Sequence, residues 1–239
     1  MPAPAPPDLP PAGGLHDALN ASVQAAETLT APWTAAERAG AAALALHMGR
    51  PRLAARWTTD PLLRAAALLR LGEPEEALQA LDDQPDSARR SVLQARALTQ
   101  QGAQDCAASR TEEARRQAIH EGDSPALAAC AVLRGEARLN DPRAAMRALA
   151  EGLKVAELGG QRPDAHVLAV LALAQRLLGP GKAAATAQKA LDLSAPRSPA
   201  RVLALHALNR PDEAGREAQA GELHPSWWAC LHTRPSSGR

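Results

Sequence analysis

An all-helical fold is predicted, and three observations predict it. Alanine and leucine, two of the best helix formers, supply 57 and 34 of the 239 residues. Val, Ile and Thr together number only 17, and Phe and Tyr are absent, so a sheet would have to be built from side chains this chain lacks. Gly or Asn followed closely by Pro recurs along the chain and divides it into helix-length segments. Leu, Ile, Val and Phe sum to 42 residues, a level that signals disorder when net charge is high. Here 27 basic and 26 acidic residues leave +1, so a core can form provided the helices approach closely through their alanines.

A repeated turn sets out the helices. Six segments align on Gly or Asn: Gly49-Arg-Pro-Arg-Leu-Ala54, Gly72-Glu-Pro-Glu-Glu-Ala77, Gly102-Ala-Gln-Asp-Cys-Ala107, Asn140-Asp-Pro-Arg-Ala-Ala145, Gly179-Pro-Gly-Lys-Ala-Ala184 and Asn209-Arg-Pro-Asp-Glu-Ala214. All six carry Ala at the fifth following position, four carry Pro at the second, and after Gly179 the proline comes one place early. Gly and Asn accept the left-handed conformation that ends a helix, and Pro is preset for the first turn of the next. Each anchor is therefore expected to join two antiparallel helices by a tight turn. Seven residues before the anchors stand Ala42, Ala65, Ala95 and Ala172, with Leu133 and Val202 in the other two units. Small residues thus mostly face the Ala of the second helix, which lets the pair close up.

Helix entrances use a second device. Asp60-Pro61, Ser124-Pro125 and Ser198-Pro199 each put a capping side chain directly before a proline at the first helical position, and Thr34 with Glu37 reads as a capping box. In order, a leading helix is expected over 15–29, and first helices over 35–48, 61–71, 88–101, 125–139, 164–178 and 199–208. Second helices are expected over 51–58, 74–83, 104–120, 142–158, 182–194 and 211–222. Residues 1–14, with six prolines, and residues 233–239 have nothing to bury and are expected to be disordered, leaving 15–232 as a single repeat domain.

The pattern resembles the tetratricopeptide repeat, whose hairpins carry a small residue in the first helix, a Gly turn and an Ala in the second. Leu71-Gly72-Glu-Pro-Glu-Glu-Ala77-Leu78 carries the match, and Gln188-Lys-Ala-Leu-Asp-Leu193 looks like the end of the same unit. The resemblance covers residues 34–222. It departs from the family in two respects: Leu or Ala fills the aromatic positions, and the anchors lie 23, 30, 38, 39 and 30 residues apart where the family keeps 34. It implies a right-handed α-solenoid of about six antiparallel helix hairpins, without β-sheet, whose curvature varies along its length and whose concave face is the usual binding surface.

Motifs that carry catalysis are missing. The chain has no glycine-rich phosphate loop, no nucleophile elbow and no histidine pair at ligand spacing on one helix, so no catalytic residue, metal or cofactor is assigned and an enzyme is not expected. His224, Cys230 and His232 offer only three potential ligands in a short tail and read as surface residues. Cys106, Cys130 and Cys230 are an odd number at unrelated spacings, which suits free thiols in a reducing compartment. No apolar run reaches bilayer length and the N-terminus lacks a charged start, so a cytoplasmic protein without a membrane partner is expected.

Counting back from the anchors places Arg70, Arg96, Gln100, Arg134, Arg138, Arg176 and His206 on the concave side. Arg96 and Arg134 each stand six residues before an anchor, and Arg70 and Arg138 each stand two before. Equivalent positions in stacked units form a row, and a row of guanidinium groups makes a groove suited to carboxylates or phosphates. The alternative is that these arginines pair with Glu and Asp across repeats. Arg-rich clamps of the tetratricopeptide family bind acidic or C-terminal peptide segments. The asparagines of such clamps are absent here, so the resemblance implies a broader acidic surface on a protein partner. Trp227 and Trp228 either seal the open end of the array or form an anchor for a partner or a second copy of the chain.

The function expected is that of a non-enzymatic scaffold or adaptor gripping a protein or peptide in its concave groove. Two other classes stay open: nucleic-acid binding through the arginines, and a ligand- or peptide-sensing regulator that acts in trans. A net charge of +1 and the absence of aromatics interleaved with the arginines speak against general nucleic-acid binding.

Overall fold

The computed structural model describes residues 12–160, 162–179 and 181–231, and among them the chain is all-helical, with no strand. The helices are α1 (Ala12–Ala21), α2 (Val23–Thr30), α3 (Ala35–His47), α4 (Pro51–Trp57), α5 (Pro61–Leu71), α6 (Pro74–Leu81), α7 (Ala88–Gln100) and α8 (Gln104–Glu121). They continue with α9 (Ser124–Glu136), α10 (Pro142–Leu158), α11 (Ala165–Leu178), α12 (Ala183–Leu193), α13 (Pro199–Ala207) and α14 (Pro211–Ala220), followed by a 3-10 helix over Pro225–Leu231. Each helix from α3 to α14 packs on the next in sequence. The odd-numbered helices also touch in succession, α3 on α5, α5 on α7, α7 on α9, α9 on α11 and α11 on α13.

Small residues do bring these helices together. Ala42, Ala65, Ala95 and Ala172 are completely buried, as are Ala54, Ala77, Ala145 and Ala214 across the turns. Between α9 and α10 the approach is closer still: a Cβ on Gly152 would stand 2.9 Å from the Ala131 Cβ, and one on Gly135 would meet Leu149 at 2.8 Å. The buried apolar side chains fall into four clusters that follow chain order rather than one central core. α3 and α4 with Leu15 and Leu19 form one; α5 and α6 with Ala97 form another. A small group joins α7, α8 and α9, and the largest runs from α9 to Leu223.

Local signals placed the boundaries well, with corrections where a distant partner intervenes. The Thr34–Glu37 capping box forms, and Asp60 and Ser198 cap α5 and α13. At α9 the cap is Asp123, whose carboxylate accepts from the Ala126 N–H, and Ser124 is the first helical residue. The expected leading helix is two helices, broken at Ser22, whose hydroxyl accepts from the Ala25 N–H and opens α2. Carbonyls at the end of α1 are satisfied from elsewhere: Leu19 by Arg50 Nε at 2.9 Å and Asn20 by Arg197 Nη2 at 2.8 Å. The helix need not continue to satisfy them. Ala12–Gly14, expected to be disordered, form the first turn of α1, since the buried Leu15 and Leu19 sit on a helix whose bonds run back four residues. The other residues of the two tails expected to be disordered, and His232, lie outside the described residues.

Four of the six anchors are left-handed as expected: Gly49 (φ 68°), Gly72 (φ 80°), Gly102 (φ 78°) and Asn209 (φ 59°). Asn140 is not: its side chain accepts from the Asp141 N–H, and α9 ends at Glu136, three residues earlier than expected. Gly179 has φ 154° and ψ 158°, outside the left-handed helical basin, and here the register slips by one. Ala183 is the buried residue at the start of α12, and Ala184, the position aligned in the sequence, is exposed.

The two ends of the helical array meet. Arg197, itself at φ 55°, donates through Nη1 to the Met48 carbonyl at 3.0 Å, and Arg50 Nη1 donates to the Ala220 carbonyl at 3.2 Å. Arg52 pairs with Glu222 at 2.6 Å. Gly49 and Gly221 lie hard against Arg197, where an added Cβ would come within 2.4 and 2.9 Å of its Cβ. Beyond this clasp the chain turns inward, and the His224 N–H donates to the Arg70 carbonyl at 2.9 Å.

Candidate functional site

The inward turn carries the 3-10 helix onto the odd-numbered helices. Trp227 donates its indole N–H to the Leu69 carbonyl at 2.9 Å, and the Arg96 guanidinium carbon lies 4.6 Å from its ring centroid. A guanidinium over an indole face at this distance is attracted by the ring quadrupole. Arg96 is 8% exposed and pairs through Nη1 with Glu136 at 2.5 Å. The other Glu136 oxygen faces His166 Nε2 at 3.1 Å, and the His166 ring lies 6.1 Å from that of Trp227. These side chains come from α7, α9, α11 and the 3-10 helix, so the cluster ties four separate elements together.

Burial pushes the Glu136 carboxyl up, but the Arg96 charge and the bonds from His166 and Arg96 outweigh it and hold it well below the usual carboxylate range. With both oxygens engaged it is a weak base. Beside this cluster lies a partly open cavity of about 240 Å³, lined by Leu69, Arg70, Val92, Arg96, Val132 and Trp227 among others.

The seven residues counted onto the concave side do not form one row. Arg70 and Arg96 line the cavity beside Trp227, whereas Arg134 and Arg138 line a second cavity of about 250 Å³ with Thr111 and Glu112. Arg134 pairs with Glu151 and, at 3.0 Å, with Glu112. The arithmetic fails because α7 ends two residues before Gly102 while α9 ends four before Asn140, so equal counts from the anchors reach different faces.

Three of the seven serve another purpose. Gln100 Nε2 donates to the Leu69 carbonyl at 2.8 Å, Arg70 Nη1 to the Leu46 carbonyl at 2.5 Å, and Arg176 Nη1 to the His206 carbonyl at 2.5 Å. Each acceptor sits in the last turn of a neighbouring odd-numbered helix, where carbonyls lack an intrahelical donor. Arg138 donates to the Arg134 carbonyl at 3.2 Å, and the half-buried His206 contributes its backbone oxygen to Arg176. Pairing across units therefore accounts for Arg96 and Arg134, and carbonyl capping for Arg70, Gln100 and Arg176. Trp228 packs on the cluster that runs from α9 to Leu223.

Glu136 and His166 were not singled out in the sequence, although an acidic residue three places after the apolar run Cys130–Leu133 is a visible signal for a buried ion pair. Of the cysteines, Cys106 is exposed, Cys130 buried and Cys230 intermediate, and among the described residues none forms a disulfide. Burial pushes the thiols of Cys130 and Cys230 up to about 12. Among the described residues no group of His, Cys, Asp and Glu could hold a metal ion, and no helix is long and apolar enough to cross a membrane. No family model matches the chain, and no curated protein or solved structure matches it.

Proposed function

We propose that the chain is a non-enzymatic, cytoplasmic adaptor, a tetratricopeptide-like right-handed solenoid of about six helix hairpins that holds a short segment of a protein partner on its inner wall. The observation that carries this reading is the seating of the chain's own C-terminal segment against α5 and α7, with Trp227 bonded to the Leu69 carbonyl and stacked on Arg96. A surface that takes an aromatic side chain and a backbone N–H in cis offers the same contacts to a segment supplied in trans. Arg138 and Arg176 favour acidic character in that partner, since among the described residues each is bonded to a carbonyl and not to a carboxylate.

Affinity purification from the source cells, read by mass spectrometry, tests the reading with the full chain and its Trp227→Ala variant. A shared partner is expected, retained in larger amount by the variant, whose inner wall is uncovered. Retention of no partner by either protein removes the adaptor from consideration.

A further inference from the structure

The cavity beside Trp227 has walls of two kinds. Leu69, Val92, Leu93 and Val132 make most of it apolar, while Arg70 brings to it a cation without an anion. Among the described residues the Arg70 guanidinium makes one hydrogen bond, to the Leu46 carbonyl, and has no carboxylate within ion-pair distance. The other guanidinium of this wall, Arg96, is committed to Glu136. A guanidinium carries five N–H donors in a planar fork that matches a carboxylate, so one carbonyl leaves most of its capacity unused. Burial alone lowers the Arg70 pKa, to about 10, as expected of a cation taken out of water with no opposite charge brought to it.

The geometry points to a small-molecule site here: the cavity takes an organic monocarboxylate with an apolar body, its carboxylate on the Arg70 fork and its hydrocarbon against the Leu and Val wall. Charge selects a monoanion. Arg96 is already answered by Glu136, and the lining carboxylate of Asp164 by the N–H groups of His166 and Val167, so a second negative charge on the ligand would face no free cation. Size selects a short chain: an apolar cavity of roughly 150 Å³ holds the six carbons of benzene, about 25 Å³ for each, so 240 Å³ has room for about ten non-hydrogen atoms. This inference uses the same inner wall as the adaptor reading but does not depend on it. A chain that captures no protein partner can still bind the acid.

Titration calorimetry and tryptophan emission on the full chain, with octanoate and octan-1-ol as probes, decide the matter. Saturable 1:1 binding of octanoate is expected, at least tenfold weaker for the alcohol and for the Arg70→Met variant. Ala129→Leu fills the cavity without touching the charge and is expected to remove binding. If Arg70→Met does not fold, the alcohol and Ala129→Leu carry the test. Absence of saturable octanoate binding, equal affinity for the alcohol, or unchanged affinity in Ala129→Leu overturns the site.

Discussion

Trp227 and Leu69 are 158 residues apart in sequence and joined by an indole N–H to carbonyl bond of 2.9 Å. That bond fixes the C-terminal segment across the first third of the helical array, next to the His224 N–H that donates to the Arg70 carbonyl. Trp227 is only half-buried, so its removal should cost less than that of a core aromatic. Trp227→Ala is expected to lower the unfolding free energy by about 2 kcal/mol, and Trp227→Phe, which keeps the ring under Arg96, by about 1 kcal/mol. Urea denaturation of both variants checks this. A loss below about 0.5 kcal/mol for Trp227→Ala would mean that the segment is not seated on the helices.

The ion pair of Arg96 and Glu136 gives a pH signature. The Glu136 carboxyl is lowered from 4.5 to about 2 in the folded chain, so its contribution is fully present above the unfolded value and is lost as pH falls from about 4.5 towards 2. Through that window wild-type stability should fall more steeply than that of Glu136→Gln, by at most about 1.4 kcal/mol per pH unit for the one proton involved. At pH 7 the same variant should be less stable by about 3 kcal/mol, because Arg96 is left buried without its anion. Replacing both partners by Met and Leu should recover most of that loss. Parallel pH slopes in wild type and Glu136→Gln would show that the pair does not titrate with folding.

Local chemistry was legible along the chain, and long-range chemistry was not. The spans expected over 61–71 and 142–158 are those of α5 and α10, because Pro at the helix start and Gly or Asp at its margins act within one turn. The break at Ser22 was hidden because its cause includes Arg50 and Arg197, which reach the end of α1 from 31 and 177 residues away. The expected row of arginines is split for a related reason. Counting from anchors treats all turns as equal, yet Asn140 follows a longer exit from α9 than Gly102 does from α7. The seat of Trp227 left no mark at all, since its partner is a backbone carbonyl that any residue at position 69 would supply.

Gly49 and Gly102 form a controlled pair for the clasp between the two ends. Both are left-handed, at φ 68° and 78°, so alanine strains either by about 1 kcal/mol. Around Gly102 there is open space, whereas a Cβ on Gly49 would press on Arg197 and on the Pro196 carbonyl 3.0 Å away. Gly49→Ala should therefore cost about 1–3 kcal/mol more than Gly102→Ala in thermal or urea unfolding. Equal costs would mean that the ends do not meet in solution.

The slipped register at the start of α12 separates what the aligned sequence suggests from what packing requires. Ala184 occupies the aligned fifth position but faces solvent, while Ala183 is 2% exposed and lies one helical step, about 100°, around the axis. Enlarging the buried position forces α12 off its neighbours, and α12 packs on both α11 and α13. Ala183→Leu is expected to cost about 1–3 kcal/mol, as should Ala77→Leu and Ala145→Leu at the completely buried positions of α6 and α10. Ala184→Leu should stay within about 0.5 kcal/mol of the wild type. Chemical denaturation of the four variants side by side makes the comparison. A large cost at Ala184 with none at Ala183 would return α12 to the register of the sequence alignment and move its buried face by one residue.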